Sequence, residues 1–233
     1  MASRHRKLSM GDQINPLQPG EPAPAFALPA VGADRIVSLV DLRGRPFFIG
    51  LFRGLHCPFC RRQIRQLSGV QPALRDTGAE TLAVINTSLE RARLYFRYQP
   101  TPVVLLSDPD CLTHRAFGVP RVQFLPEGSA EPPQWPERAT MAQFQEARIN
   151  PAGEMAEPTQ PMEANFVLNA KDGFELDETD QAIFAEHATQ LVGHFLVDAA
   201  GIVRWAKIEA RDGPNGIGAF PSAEEIIAAA SML

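Results

Sequence analysis

Pro46-Phe47-Phe48-Ile49-Gly50-Leu51-Phe52-Arg53-Gly54-Leu55-His56-Cys57-Pro58-Phe59-Cys60 is the stretch that decides how this chain is read. Pro46 to Phe52 is a continuous apolar run, the pattern of a central strand buried on both faces. From Cys60 onward the spacing changes, with Cys60, Ile64 and Leu67 on one face of a helix. The C-x-x-C pair therefore sits where strand gives way to helix, with Cys57 at the helix N-terminus. Unpaired backbone N–H groups and the helix dipole favour an anion there. A free cysteine of pKa roughly 8.5 is only about 3% thiolate at neutral pH, whereas in such motifs the pKa falls to about 3.5–7.5. Cys60, one turn on, is near enough to close a disulfide. The pair reads as a redox centre.

Working outward, Thr81 to Asn86 and Val103 to Leu106 read as further buried strands. Thr87 with Glu90 has the capping-box pattern of a helix through about Tyr98. Asp108-Pro109 supplies an N-cap and a first-turn proline for a helix through about Phe117. Pro72 is expected to kink or end the helix that follows the cysteines, with Gly78 as its stop. On the N-terminal side, residues 1–12 read as a flexible tail, with Arg4-His5-Arg6-Lys7 as a solvated end. Residues 16–30 read as an extended segment anchored by Phe26 and Leu28, and Ile36 to Leu39 as a short strand.

Regularity breaks between about 120 and 165, a stretch dense in Pro, Glu and Gln with at most a short helix near Met141 to Arg148. Beyond it, Phe166 to Leu168 reads as a strand, and a helix falls within Glu178 to Leu191. His194 to Val197, the turn through Gly201, and Ile202 to Ile208 form a β-hairpin. Ser222 with Glu225 opens a final helix. Gly213 to Gly218 lacks the glycine order and the Lys-Ser/Thr end of a phosphate loop, and is a connection to that helix. Strands alternating with helices, then a hairpin and a helix, give an α/β chain with helices on both faces of a sheet.

Composition narrows the function classes. The 233 residues carry 22 basic and 27 acidic side chains, a net charge of -5, which points to no nucleic-acid partner. No apolar run approaches the 18 residues of a membrane span, so no membrane association is expected. The basic start MASRHRKLSMGDQ has no apolar core behind it, so a secretory signal is not expected and the location is read as cytoplasmic. Three cysteines are too few for a disulfide framework, and in such a protein C-x-x-C is catalytic or metal-binding. Zinc normally takes four ligands, and neither a second C-x-x-C nor a paired His motif is present, so no metal and no cofactor are expected.

Four segments carry a family resemblance. Gly20-Glu21-Pro22-Ala23-Pro24-Ala25-Phe26-Ala27-Leu28-Pro29 is similar to an opening G-x-x-A-P-x-F-x-L. Leu39 to Pro46, followed by Phe52-Arg53-Gly54-Leu55-His56-Cys57-Pro58-Phe59-Cys60, is similar to the R-G-x-W-C-P-x-C variant of an active-site loop. Leu106-Ser107-Asp108-Pro109-Asp110 with Phe117-Gly118-Val119 and the hairpin Phe195-Leu196-Val197-Asp198 to Gly201-Ile202-Val203-Arg204 complete the set. In this order they resemble the peroxiredoxin-like proteins of the alkyl hydroperoxide reductase/thiol-specific antioxidant (AhpC/TSA) family. The matches span about residues 18–120 and 190–232.

The resemblance implies a thioredoxin-like fold: a central mixed β-sheet flanked by helices in a three-layer α/β/α sandwich. Residues 13–233 would be one domain, with a Pro-rich insertion at about 120–165 before the C-terminal hairpin. It implies a thiol-dependent peroxidase that reduces hydrogen peroxide or organic hydroperoxides. Cys57 would be the nucleophile that becomes sulfenic acid, Cys60 would resolve it as a disulfide, and an external thiol of thioredoxin or glutathione type would reduce that disulfide. Gly54 and Pro58 would lie at the peroxide. A homodimer is open through the family alone. Two positions depart from the family pattern: Gly54 stands where a threonine is usual, and Val192 or His194 falls near the place of a late arginine. Two other functions stay open on the residues: a thiol–disulfide oxidoreductase acting on protein disulfides, and a non-catalytic redox-sensing or interaction protein.

Several neighbours have two readings each. Arg53 is either the positive charge beside the thiolate or a strand-end arginine paired with a surface carboxylate. His56 either acts on the nucleophile, as imidazolium or as a neutral proton carrier, or is an exposed loop residue. Arg61 and Arg62 are expected on the solvent face of the helix. Cys111 is expected to pack, with a second resolving thiol as the other reading. The insertion is read as a surface excursion, with a lid or a dimer contact as alternatives.

Overall fold

The computed structural model describes residues 15–233. The reading of residues 1–12 as a tail lies outside them. Sixteen elements follow in chain order: β1 Ala27–Pro29, β2 Ile36–Ser38, β3 Phe47–Phe52, α1 Pro58–Asp76, β4 Glu80–Ile85, α2 Leu89–Tyr98, β5 Val104–Ser107, α3 Leu112–Ala116, β6 Gln123–Phe124, β7 Arg138–Ala139, α4 Met141–Glu146, α5 Pro161–Lys171, α6 Glu178–His187, β8 Gly193–Val197, β9 Val203–Ile208 and α7 Ala223–Ala230.

A five-stranded mixed sheet of order β5-β4-β3-β8-β9 forms the centre. β3, β4 and β5 run parallel, while β8 is antiparallel to β3 and closes a hairpin with β9. Every residue of β3 is buried. Its alternation splits the core: Phe48 and Phe52 point to the face packed by α1, α5 and α7, whereas Phe47, Ile49 and Leu51 point to the other. That second face is covered by Leu17, Phe26, Leu28 and Val37 from the N-terminal segment, and by Phe117 at the end of α3. The arrangement is thioredoxin-like, and it delivers the end of β3 and the start of α1 to one edge of the sheet.

Four local expectations need correction. α1 runs through Pro72 to Asp76. Pro72 is exposed, so the Ser68 carbonyl that it leaves without a helical donor can reach water, while Val70 and Leu74 hold the helix to the core. α2 is capped by Ser88, not Thr87. The Thr87 hydroxyl is engaged elsewhere, accepting from the Leu55 N–H at 2.9 Å. α3 begins at Leu112, later than expected, although the Asp108 carboxylate still caps it by accepting from Leu112 and Thr113 N–H. Phe166 to Leu168 is helix within α5, not strand: helical spacing puts Ala164 and Leu168 inward and leaves Phe166 and Val167 exposed.

The stretch from 120 to 165 holds β6, β7 and α4 and leads into α5. Trp135 donates its indole N–H to the Ala210 carbonyl, tying this stretch to the end of the hairpin. Among the described residues no helix is long and apolar enough to cross a membrane.

Candidate active site

Cys57 is the N-cap of α1, and Pro58 is the first helical residue, where a missing N–H costs nothing. All three cysteines are free thiols. The Cys60 N–H donates to Cys57 Sγ at 3.2 Å, so the helix end points a backbone donor at the sulfur. Arg53 Nε donates to the same sulfur at 3.4 Å. Burial opposes a Cys57 thiolate, but the hydrogen bond from the Cys60 side chain and then the charge and hydrogen bond of Arg53 outweigh it, bringing Cys57 down to about 6. Cys60 moves the other way: burial, its hydrogen bond to Cys57 and the Cys57 charge push it well above the usual thiol range. One sulfur is poised as thiolate and its neighbour is kept as thiol.

Arg53 is buried, and its partner is not a surface carboxylate. The guanidinium makes a fork on Glu209, whose side chain is 0% exposed, with NH1–Oε2 at 2.9 Å and NH2–Oε1 at 2.8 Å. NH1 also donates to the Gln190 carbonyl at 3.0 Å. Val192, near the place of the missing late arginine, instead donates its backbone N–H to Glu209 at 2.9 Å.

Gly54 is required by space. A Cβ there would lie 2.8 Å from Asn86 Oδ1, 2.9 Å from Thr87 Oγ1 and 3.0 Å from His56 Nδ1. A threonine could not stand at this position without displacing the shell that supports the loop.

His56 is 1% exposed, against the expectation of an exposed loop residue. Burial, then the charges of Arg53 and Arg61, lower it to about 3, so it is neutral and the imidazolium reading fails. Neither ring nitrogen has a protein partner among the described residues, and the ring packs edge-on against Phe184 of α6.

Arg61 and Arg62 are not on a solvent face. Arg61 is buried, donating to the Leu55 carbonyl and to Asp172, with its guanidinium 4.0 Å over the Phe174 ring. Arg62 pairs with Asp172 and Glu154. Asn169 of α5 donates to the His56 carbonyl at 3.0 Å. The segment following the excursion therefore clamps the cysteine loop from outside.

An apolar cavity of about 50 Å³ opens against Arg53 and His56, walled by Phe59, Phe144, Met162, Phe184 and Leu191 among others. Gly54 and Pro58, expected at the substrate, do not line it: one has no side chain to project, and the other is spent in starting the helix. Cys111 lies elsewhere, beside pocket residues Arg121 and Gln190, with burial raising it to about 11 and Asn86 Nδ2 at 3.5 Å. Among the described residues no group of three or more His, Cys, Asp or Glu side chains is arranged to hold a metal ion.

A family model described as the AhpC/TSA family matches residues 19–206. The chain belongs to the AhpC/TSA family. This family member is similar to Peroxiredoxin Bcp of Escherichia coli (strain K12), at 27% identity over 106 residues, 46% of this chain and 67% of that protein. The Peroxidoxin BcpB of Mycobacterium tuberculosis matches it in structure with a TM-score of 0.54 at 10% identity, over 93% of this chain and 98% of its own. Peroxiredoxin Q of Xanthomonas campestris does so with a TM-score of 0.51 at 15% identity, over 89% and 90%. At those identities the two structures speak to fold alone. Within this AhpC/TSA member, sequence reasoning missed Glu209, Thr87, Asn86 and Asn169. The one available signal was indirect: a buried Arg53 requires a carboxylate somewhere.

Proposed function

We infer that the protein is a thiol-dependent peroxidase in which Cys57 attacks the peroxide and Cys60 resolves the product. The observation that carries this reading is the split of the pair, with Cys57 at about 6 beside Arg53 and Cys60 held protonated. The Cys57 thiolate attacks one oxygen of R–O–O–H and the O–O bond breaks. Sulfur takes the hydroxyl as sulfenic acid, and R–O⁻ takes a proton to leave as alcohol, or as water when R is hydrogen. The Cys60 thiol then condenses with the sulfenic acid, forming the disulfide and releasing water. Two external thiol groups, from one dithiol of thioredoxin type or two thiols of glutathione type, return the disulfide to thiols and become a disulfide themselves.

The cavity supports a peroxide over a protein disulfide as substrate. Cys57 is 1% exposed, too enclosed for a protein disulfide to reach in this state, while a cavity of about 50 Å³, lined by Arg53 and His56 although not by Cys57 itself, has room for a few atoms next to the arginine that donates to the sulfur. Its apolar walls suit the alkyl group of a hydroperoxide. His56 lines this cavity as a neutral imidazole whose two ring nitrogens are both enclosed.

Mass spectrometry of the reduced protein after one equivalent of peroxide tests the reading. Rapid loss of two hydrogens is expected in the wild type, trapped sulfenic acid in Cys60→Ser, and no rapid reaction in Cys57→Ser. Sluggish oxidation like that of a free cysteine would sink it. Exchange with an insulin-type disulfide would favour the protein-disulfide oxidoreductase, and inertness in both assays a non-catalytic role.

A further inference from the structure

Glu209 is a saturated carboxylate. Oε1 accepts from Arg53 NH2 at 2.8 Å and from the Gly218 N–H at 2.7 Å, and Oε2 accepts from Arg53 NH1 at 2.9 Å and from the Val192 N–H at 2.9 Å. Two carboxylate oxygens offer about four acceptor sites, and all are filled. The residue also breaks the strand pattern that leads to it: Ile208, Glu209 and Ala210 are buried in succession. Ala210 turns the chain with a left-handed φ of 53°, a conformation rare for a residue with a Cβ, and its carbonyl accepts from Trp135. The backbone is bent at this point so that the carboxylate faces inward.

That placement bears on Arg53. A guanidinium is a rigid planar fork, so fixing its NH1–NH2 end on a carboxylate fixes the direction of Nε as well. Here the remaining edge meets Cys57 Sγ at 3.4 Å. We propose that Glu209 is a positioning residue for the Cys57 reaction: it holds the Arg53 fork so that Nε is directed at the sulfur. The proposal rests on Cys57 reacting as a thiolate, but not on the electrophile it attacks.

Two effects of Glu209 on the sulfur have opposite sign, which makes the proposal decidable. Its negative charge by itself disfavours the thiolate, whereas the arginine it holds favours it. The groups acting on Cys57 are Cys60 from α1, Arg53 from the end of β3 and Glu209 after β9. In Glu209→Gln the amide presents donors to Arg53, Val192 or Gly218, all donors themselves, and the fork is lost. A positioning role then raises the Cys57 pKa from about 6 towards about 8.5, the value of a free thiol. A role through charge alone lowers it below about 6.

The test is the rate of Cys57 alkylation by iodoacetamide as a function of pH, read at the peptide level by mass spectrometry in the full chain. It needs no peroxide, so failure of the peroxidase reading leaves it intact. Glu209→Gln is expected to move the alkylation midpoint upward and to cut the rate at pH about 7 by roughly thirtyfold, the fall in thiolate fraction for that change. The deficit should close as pH is raised through the new midpoint, with a far-UV circular dichroism spectrum and urea midpoint that match the wild type, because an unfolded chain would itself present a free thiol of pKa about 8.5. Arg53→Met/Glu209→Gln removes both charges and guards against an unstable single variant. Its midpoint should lie at or above that of Glu209→Gln, whose arginine has lost its direction but keeps its charge. A Glu209→Gln midpoint unchanged or lowered, or a double variant with its midpoint at the wild-type value, would overturn the proposal.

Discussion

Arg53 and Arg61 flank the same cysteines, four residues before Cys57 and one after Cys60, and both are buried. Their chemistry differs. Arg53 is forked on a fully buried carboxylate and gives its last edge to a sulfur. Arg61 spends its donors on the Leu55 carbonyl and on Asp172, which is 27% exposed, and lays its plane on Phe174. The first region adjusts charge at the sulfur and the second shapes the loop that carries it. Two arginines this close in sequence can thus serve separate ends, set by what each meets and not by its own type.

The largest effect is expected at Arg53. Arg53→Met leaves Glu209 buried without its counter-charge and is expected to destabilise by about 3–5 kcal/mol. Denaturant melts would show this, and alkylation against pH would show the Cys57 midpoint moving up from about 6. Arg61→Met is the matching test of the second region. Loss of its charged hydrogen bonds should cost about 1.5–3 kcal/mol, while the Cys57 midpoint stays near 6. A midpoint displaced as far as that of Arg53→Met would erase the distinction.

Gly54→Ala sharpens it from the other side. The added methyl meets Asn86, Thr87 and His56 and should cost about 1–3 kcal/mol by overpacking, measured by the same melts. Glu154→Ala gives the smallest effect. It removes a partner of Arg62 and Lys171 at the rim, and a stability change of about 0.2–1 kcal/mol is expected.

These residues also divide what was legible in the sequence from what was not. The buried run of β3, the placement of Cys57 at a helix start and the hairpin of β8 and β9 follow from local periodicity, and so were readable. Arg53 was readable as a candidate, but its carboxylate lies 156 residues away at the end of another strand, beyond any local pattern. Gly54 read as a departure from a family pattern until its neighbours were known. Crowding by Asn86 and Thr87, which lie beyond α1 and β4 in sequence, makes it a requirement of packing. The misreading of Arg61 and Arg62 has the same origin. A charged pair on a helix is normally a solvated face, and only the return of the chain at Asp172 and Phe174 covers it.

Four imidazoles are buried among the described residues, and three of them bear on stability in acid. His56 sits beside the cysteine loop, His114 in α3, and His194 among Phe48, Phe52 and Phe220 on β8. Burial, first among the causes, lowers them to about 3, 4 and 3 respectively. The unfolded chain would take a proton on each near 6.5. Between those values the unfolded state holds more protons than the folded one, so stability falls as pH drops below about 6.5. Acid is thus a co-solute that binds the unfolded chain and drains the native population, and His194→Phe should flatten the dependence of the urea midpoint on pH in that range.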